Sequence, residues 1–146
     1  MATTQQFCTF FLDCYFFGVA VEKVQEVIRY HEMTRVPLAP AVVSGLINLR
    51  GQIVTAIDLR QRLELSKRPA DQIPMNVVVR TDDNAVSFLV DEIGDVLEIS
   101  GEIFERVPET VQGKTRDLLR GVYKLQDQLL LVLDTEKTVN LAQGKG

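Results

Sequence analysis

Leu46-Ile47-Asn48-Leu49-Arg50-Gly51-Gln52-Ile53-Val54-Thr55-Ala56-Ile57-Asp58-Leu59 is an apolar run, a glycine and a second apolar run ending on an acidic residue. It reads as strand, turn, strand. Aliphatic and β-branched residues dominate both runs, and glycine accepts the backbone angles that a tight turn imposes. Asp58 is placed to cap a short helix through Arg60, Gln61 and Arg62, its carboxylate accepting a free amide of the first turn. Upstream, Ala41 to Ser44 reads as another short helix, started at Pro40 and closed by Gly45.

The same grammar extends outward. Phe7 to Leu12 and Tyr15 to Val21 are two aromatic and β-branched runs around Asp13-Cys14, a hairpin. Gly18 inside the second run points to a bulge or a close backbone approach. Glu22 to Glu26 favours a single helical turn, and Val27 to Tyr30 is extended again. Asn76 to Thr81 and Ala85 to Val90 flank Asp82-Asp83-Asn84, a strong turn signal. Gly94 and Gly101 are expected to break short strands around Val96 to Ile99, and Val111 to Arg120 to form a long loop. Gly121 to Leu125 and Leu129 to Leu133 make a further hairpin, and Asp134 starts a last helix. Turn signals about every 8–12 residues point to an all-β barrel or sandwich instead of βαβ units. Gly51 to Leu59 also rhymes with Gln128 to Thr135, each followed by a short helical segment, as two similar small barrels would require.

A chain of 146 residues is one ordinary domain, with 46% hydrophobic and 25% charged residues. Lys plus Arg number 16 against 20 Asp plus Glu, a net charge of −4 that disfavours a broad nucleic-acid-binding face. Arg60-Gln61-Arg62 and Lys67-Arg68 are the one basic concentration, with no aromatic among them. The 2 cysteines, Cys8 and Cys14, fit free thiols in a reducing compartment. No signal-peptide pattern opens the chain, and its longest apolar run of about five residues is far short of the ~20 that a membrane helix needs. A soluble cytoplasmic protein is expected.

Candidate chemistry is sparse. His31 is the single histidine, so neither a structural zinc site nor a histidine-based triad assembles readily. Ser44 lacks the flanking glycines of a nucleophile elbow, since Val42 and Leu46 stand there. Gly113-Lys114-Thr115 ends like a phosphate-binding loop, but Pro108 occupies the place of its leading glycine, and a solvated loop is the simpler reading. Asp91, Glu92 and Asp95 lack calcium-loop spacing and read as solvation of a hairpin. Arg50 differs: beside a turn glycine, its guanidinium is held on a rigid scaffold with its fork free for a carboxylate.

At Lys23-Val24-Gln25-Glu26-Val27, Val36-Pro37, Val43 to Val54 and Ile57-Asp58-Leu59 the sequence resembles the CheW-type coupling proteins of bacterial chemotaxis. Val90 to Leu97 and Leu129 to Lys137 agree, so the resemblance spans roughly Gln6 to Leu141. Thr55-Ala56, where the family commonly has proline, departs from the pattern, as does Ser44 at a variable position. The resemblance implies an all-β fold of two intertwined five-stranded SH3-like barrels with short helices and a hydrophobic groove between them. It places this domain at residues 6–141, with the two barrels divided near residues 66–76 and a flexible tail over 142–146. It also implies a non-enzymatic adaptor without cofactor or metal, partnering the regulatory domain of the histidine kinase CheA and the cytoplasmic tip of a methyl-accepting chemoreceptor. Such a protein would work in the cytoplasm at membrane-associated receptor arrays, without entering the membrane or binding nucleic acid. By position, Val24, Glu26, Val27, Gly45, Arg50 and Gly51 match places where the family makes or supports partner contacts. Arg50 is expected to pair with Glu26. The alternatives are an adaptor of a parallel chemosensory pathway, such as pilus-based motility, a small nucleic-acid-binding or structural barrel, and an enzyme or nucleotide-binding protein.

Overall fold

β1 (Gln5–Leu12) and β2 (Tyr15–Ala20) pair antiparallel around Asp13, whose φ of 56° tightens the turn. The structure is a computed structural model that describes residues 4–82, 84–100 and 104–140. Gly18 sits in unbroken register with β1, and a Cβ there would stand 2.9 Å from Leu130 Cδ1. It marks a close approach and not a bulge.

A 3-10 turn at Val21–Lys23 leads into β3 (Val24–Ile28). The helical turn expected through Glu26 therefore stops early, and Gln25 and Glu26 are extended. Val24, Val27 and Ile28 ladder onto β6 (Met75–Arg80), and that pairing outweighs the local helix preference of Glu, Lys and Gln. β4 (Val43–Leu49) and β5 (Gln52–Asp58) form the expected hairpin, followed by α1 (Leu59–Arg62) with Asp58 Oδ1 accepting from Arg60 N at 3.1 Å. The helix expected at Ala41 to Ser44 is a single turn, Val43 N donating to Pro40 O at 2.9 Å, because Val43 already enters the β4 ladder.

β7 (Ala85–Val90) completes a hairpin with β6. β8 (Glu92–Ile99) continues past Gly94, but its register with β1 shifts there, between Cys8↔Val96 and Phe10↔Ile93, and Thr9 Oγ1 leaves no room for a Cβ on the glycine. Gly101 and the tail 142–146 lie outside the described residues. After β9 (Phe104–Glu105), the stretch expected as a loop instead carries α2 (Gly113–Asp117) and the start of β10 (Leu119–Lys124). β11 (Leu129–Leu133) and α3 (Thr135–Val139) end the fold.

The strands form a six-stranded sheet, β8-β1-β2-β11-β10-β9, and a five-stranded sheet, β3-β6-β7-β5-β4. The two match strand for strand. β11 pairs parallel with β2 as β5 pairs parallel with β7, and the two-residue β9 answers the isolated bridge from Thr34 to Leu46 beside β4. The register shifts beside Gly45 in one hairpin and beside Gly121 in the other. Asp58 N and Asp134 N donate to Val42 O and Leu118 O, each at 2.8 Å. The rhyme in the sequence is thus a structural repeat. It is interlaced, because the N-terminal hairpin belongs to the sheet completed by the C-terminal strands. The chain changes sheets between β2 and β3 and between β7 and β8, and the polar loop near residues 66–76 joins α1 to β6.

Each sheet encloses a small core, one around Ile47, Val54 and Val78 and the other around Phe7, Phe16 and Leu130. The largest cluster lies between the sheets and joins Phe10 and Phe17 of one to Val77 and Phe88 of the other, with Leu59 of α1 and Leu63 at its C-terminal cap. Burying side chains of this size contributes roughly 1.5–3 kcal/mol each, so this shared core binds the two barrels into one unit.

Candidate functional site

Arg50 and Gly51 form the two-residue turn between β4 and β5, with φ values of 51° and 90°. Both angles are positive, as a turn matching the right-handed strand twist requires. Asn48 Oδ1 fixes the turn by accepting from Gly51 N at 2.9 Å. The turn projects Arg50 toward β3, where its Nη2 donates to Glu26 Oε2. The expected pair is therefore present, although Glu26 presents from a strand and not from a helical segment.

This contact joins the two edges of the five-stranded sheet, β3 and the β4–β5 hairpin, as a closed barrel requires. Gln25 Nε2 adds longer contacts of 3.4 Å to Gln52 Oε1 and Glu26 Oε2. The Arg50 hydrogen bond holds the Glu26 carboxyl below the ordinary glutamate range. The Arg50 side chain is 71% exposed, so water screens the pair and its contribution to stability is about 0–1 kcal/mol.

Val24 and Val27 lie opposite Val79 and Val77 of β6, two residues of the core between the sheets. Val24 packs against that core, whereas Val27 is 39% exposed at its margin. The depth of the implied groove is thus filled by protein, and an apolar partner would meet its rim. Gly45 is buried, not presented. A Cβ there would stand 2.7 Å from Thr34 O, where the Thr34 and Leu46 backbones exchange hydrogen bonds of 2.9 and 2.8 Å. The structure brings Glu26, Arg50 and Gly51 together at one rim, sets Val24 and Val27 on the opposite face of β3, and puts Gly45 beneath the segment that crosses it at Met33 and Thr34.

The sequence reading missed a buried ionic cluster. Asp91, expected to solvate a hairpin, is buried where β7 passes into β8. Arg60 Nε donates to its two oxygens at 3.0 and 3.1 Å, Arg68 Nε to Oδ1 at 2.9 Å, and Asp13 N to Oδ2 at 2.8 Å. Burial pushes the Asp91 carboxyl upward, but the bonds from Arg60, Asp13 N and Arg68 more than offset it, and its pKa lies below the usual value. Arg62 is also buried, donating to Thr138 O at 2.8 Å and Lys137 O at 3.0 Å at the end of α3. The basic concentration of the sequence is consequently turned inward at three of its arginines. The available signal was position: Asp91 directly follows the buried run Ala85–Val90.

Other candidates stand apart. His31 is exposed, and the Thr115 hydroxyl donates to Leu63 O at 3.1 Å within a buried contact instead of facing a phosphate cradle. No helix among the described residues is long and apolar enough to cross a membrane.

Comparison with known proteins completes the assignment. The chain is 31% identical to a chemotaxis protein CheW of Klebsiella aerogenes over 93% of its own length and 82% of that protein. It is 28% identical to a chemotaxis protein CheW of Bacillus subtilis over 94% of its length and 88% of that protein. Its fold superposes on the crystal structure of the scaffolding protein TtCheW from Thermoanaerobacter tengcongensis with a TM-score of 0.80 and 25% identity, covering 90% and 89% of the two chains. With the CheW-like domain matched across residues 6–143, the chain belongs to the CheW-like domain family.

Proposed function

We propose that this chain is a non-catalytic adaptor that couples methyl-accepting chemoreceptors to the histidine kinase CheA in bacterial chemotaxis. The observation that carries the reading is the near full-length match to chemotaxis CheW proteins, together with the same fold in a protein described as a scaffold. A double barrel with exposed strand edges suits this work, because partners can dock on strand edges and apolar rims without any reacting group.

In this reading Glu26, Arg50 and Gly51 shape the rim of one barrel, and Val24 and Val27 supply apolar surface for a receptor helix. Gly45 supports the surface from beneath. The adaptor works in the cytoplasm and reaches the membrane-associated array through its partners. The test is calorimetry and co-elution of the purified chain with the regulatory domain of CheA, without receptor or nucleotide, and with a receptor cytoplasmic tip. Binding on the order of micromolar or tighter to the kinase domain is expected. No heat and no co-elution at tens of micromolar would refute the reading. Val27→Asp should weaken the receptor interaction while the protein stays folded, since few anchors carry such contacts.

A further inference from the structure

The apolar core between the barrels is large, but the hydrophobic effect is not directional, whereas satisfied buried polar groups specify one arrangement. The Asp91 cluster is directional. Its carboxylate belongs to the crossover from one sheet to the other. It accepts from Asp13 N, in the β1–β2 turn of the six-stranded barrel, and from Arg60 and Arg68, in α1 and the following loop of the other barrel. The guanidiniums are anchored in turn. Arg60 Nη1 donates to Ser66 O and Lys67 O at 3.0 and 3.1 Å, and Arg68 Nη2 reaches Leu89 O at 3.3 Å. Side-chain exposure is 6% for Asp91, 7% for Arg60 and 9% for Arg68, so water does not substitute freely for any of these bonds.

Buried ion pairs add little net stability, because desolvation consumes most of the Coulombic gain, and their best-attested service is to fix one arrangement among similar ones. We infer that Asp91, clasped by Arg60 and Arg68, is a positioning residue that fixes how the two barrels are set against each other, and with it the relative placement of the adaptor's two partner faces. The second half of this inference rests on the adaptor reading. The first does not.

The test compares the wild type with Asp91→Asn and with the triple variant Arg60→Leu, Arg68→Leu, Asp91→Leu, in which no guanidinium is left without its carboxylate. Spin labels at Arg80→Cys, at the end of β6, and Lys124→Cys, at the end of β10, report the distance between barrels in a background of Cys8→Ala and Cys14→Ser. The wild type should give one narrow distance. Both variants should give a broadened or split distribution. Bridging of kinase domain and receptor tip in one complex should fall about fivefold or more, while affinity for each partner alone changes less than about twofold.

A wild-type distance width in either folded variant would overturn the inference, as would single-partner affinities that fall in step with bridging. If Asp91→Asn does not fold, the triple variant decides, and a triple variant that also fails to fold makes the cluster a stability element and overturns the proposal. Failure of the wild type to bind either partner would refute the adaptor reading, while the label distances still test the clasp.

Discussion

Gly45→Ala separates clearance from contact. The added methyl would lie 2.7 Å from Thr34 O, 3.0 Å from Met33 Cβ and 3.2 Å from Thr34 C, and all three atoms are backbone or bonded directly to it. The crossing segment must retreat by several tenths of an ångström, which strains the 2.9 and 2.8 Å bonds between Thr34 and Leu46 that close this barrel. Overpacking costs about 1–3 kcal/mol and each weakened hydrogen bond up to about 0.5–1.5 kcal/mol. The stiffer unfolded chain returns about 0.4–1 kcal/mol, leaving a net loss of roughly 2–3 kcal/mol. For a domain of this size that lowers Tm by about 5–10 °C. Thermal and urea unfolding followed by circular dichroism read it directly. Gly121→Ala is the internal control, since a Cβ there would stand 2.7 Å from Glu105 O at the matching place in the other barrel. Both variants should melt early. A Gly45→Ala protein that melts within about 1 °C of wild type yet loses partner binding would refute the clearance argument and make Gly45 a contact residue.

Arg50→Ala removes an exposed ion pair and should cost about 0–1 kcal/mol, while a titration of Glu26 by NMR should show its carboxyl moving back up toward the ordinary range. An unmoved Glu26 would mean that the pair is not populated in solution. The acid limb of stability is expected to depend on Asp91. Its folded pKa is depressed, so its contribution is present above the unfolded carboxylate pKa, near 4, and is lost as pH falls through the folded value. Urea midpoints measured against pH should fall more steeply on acidification in the wild type than in Asp91→Asn, and parallel curves would contradict this.

Hairpins were the legible part of the sequence because a hairpin is local. Asp13-Cys14, Arg50-Gly51 and Asp82-Asp83-Asn84 each lie between runs that pair with each other. Errors arose where a distant partner overrode a local preference. Gln25 and Glu26 are drawn into a strand by β6, some fifty residues on in the chain. Gly94 does not end β8; the ladder to β1 shifts register there and resumes on both sides, and the glycine makes room for Thr9. Asp91 looked like solvent-facing charge because it was read with its sequence neighbours, whereas its partners come from the β1–β2 turn, α1 and the loop after α1. At the candidate site, the Glu26–Arg50 pair followed from a turn glycine and a family resemblance, but burial of Gly45 could not be read without the segment that crosses it.

The internal repeat offers a way to divide fold from function that one barrel alone would not. A feature found at the matching place in both barrels serves the barrel. Gly45 and Gly121 each clear a crossing carbonyl by the same distance, and Asp58 and Asp134 each cap a short helix while donating to the strand entrance. A feature found once is free to serve something else. The β4–β5 turn is two residues with both φ values positive and carries Arg50, whereas its counterpart between β10 and β11 is a longer turn closed by Leu125 N to Gln128 O at 2.9 Å. The Asp91 cluster likewise bridges the two barrels from one crossover. By this criterion, of the six residues matched to partner contacts, Gly45 belongs with the architecture, and the Arg50–Gly51 turn with its Glu26 partner is where this chain departs from its own symmetry.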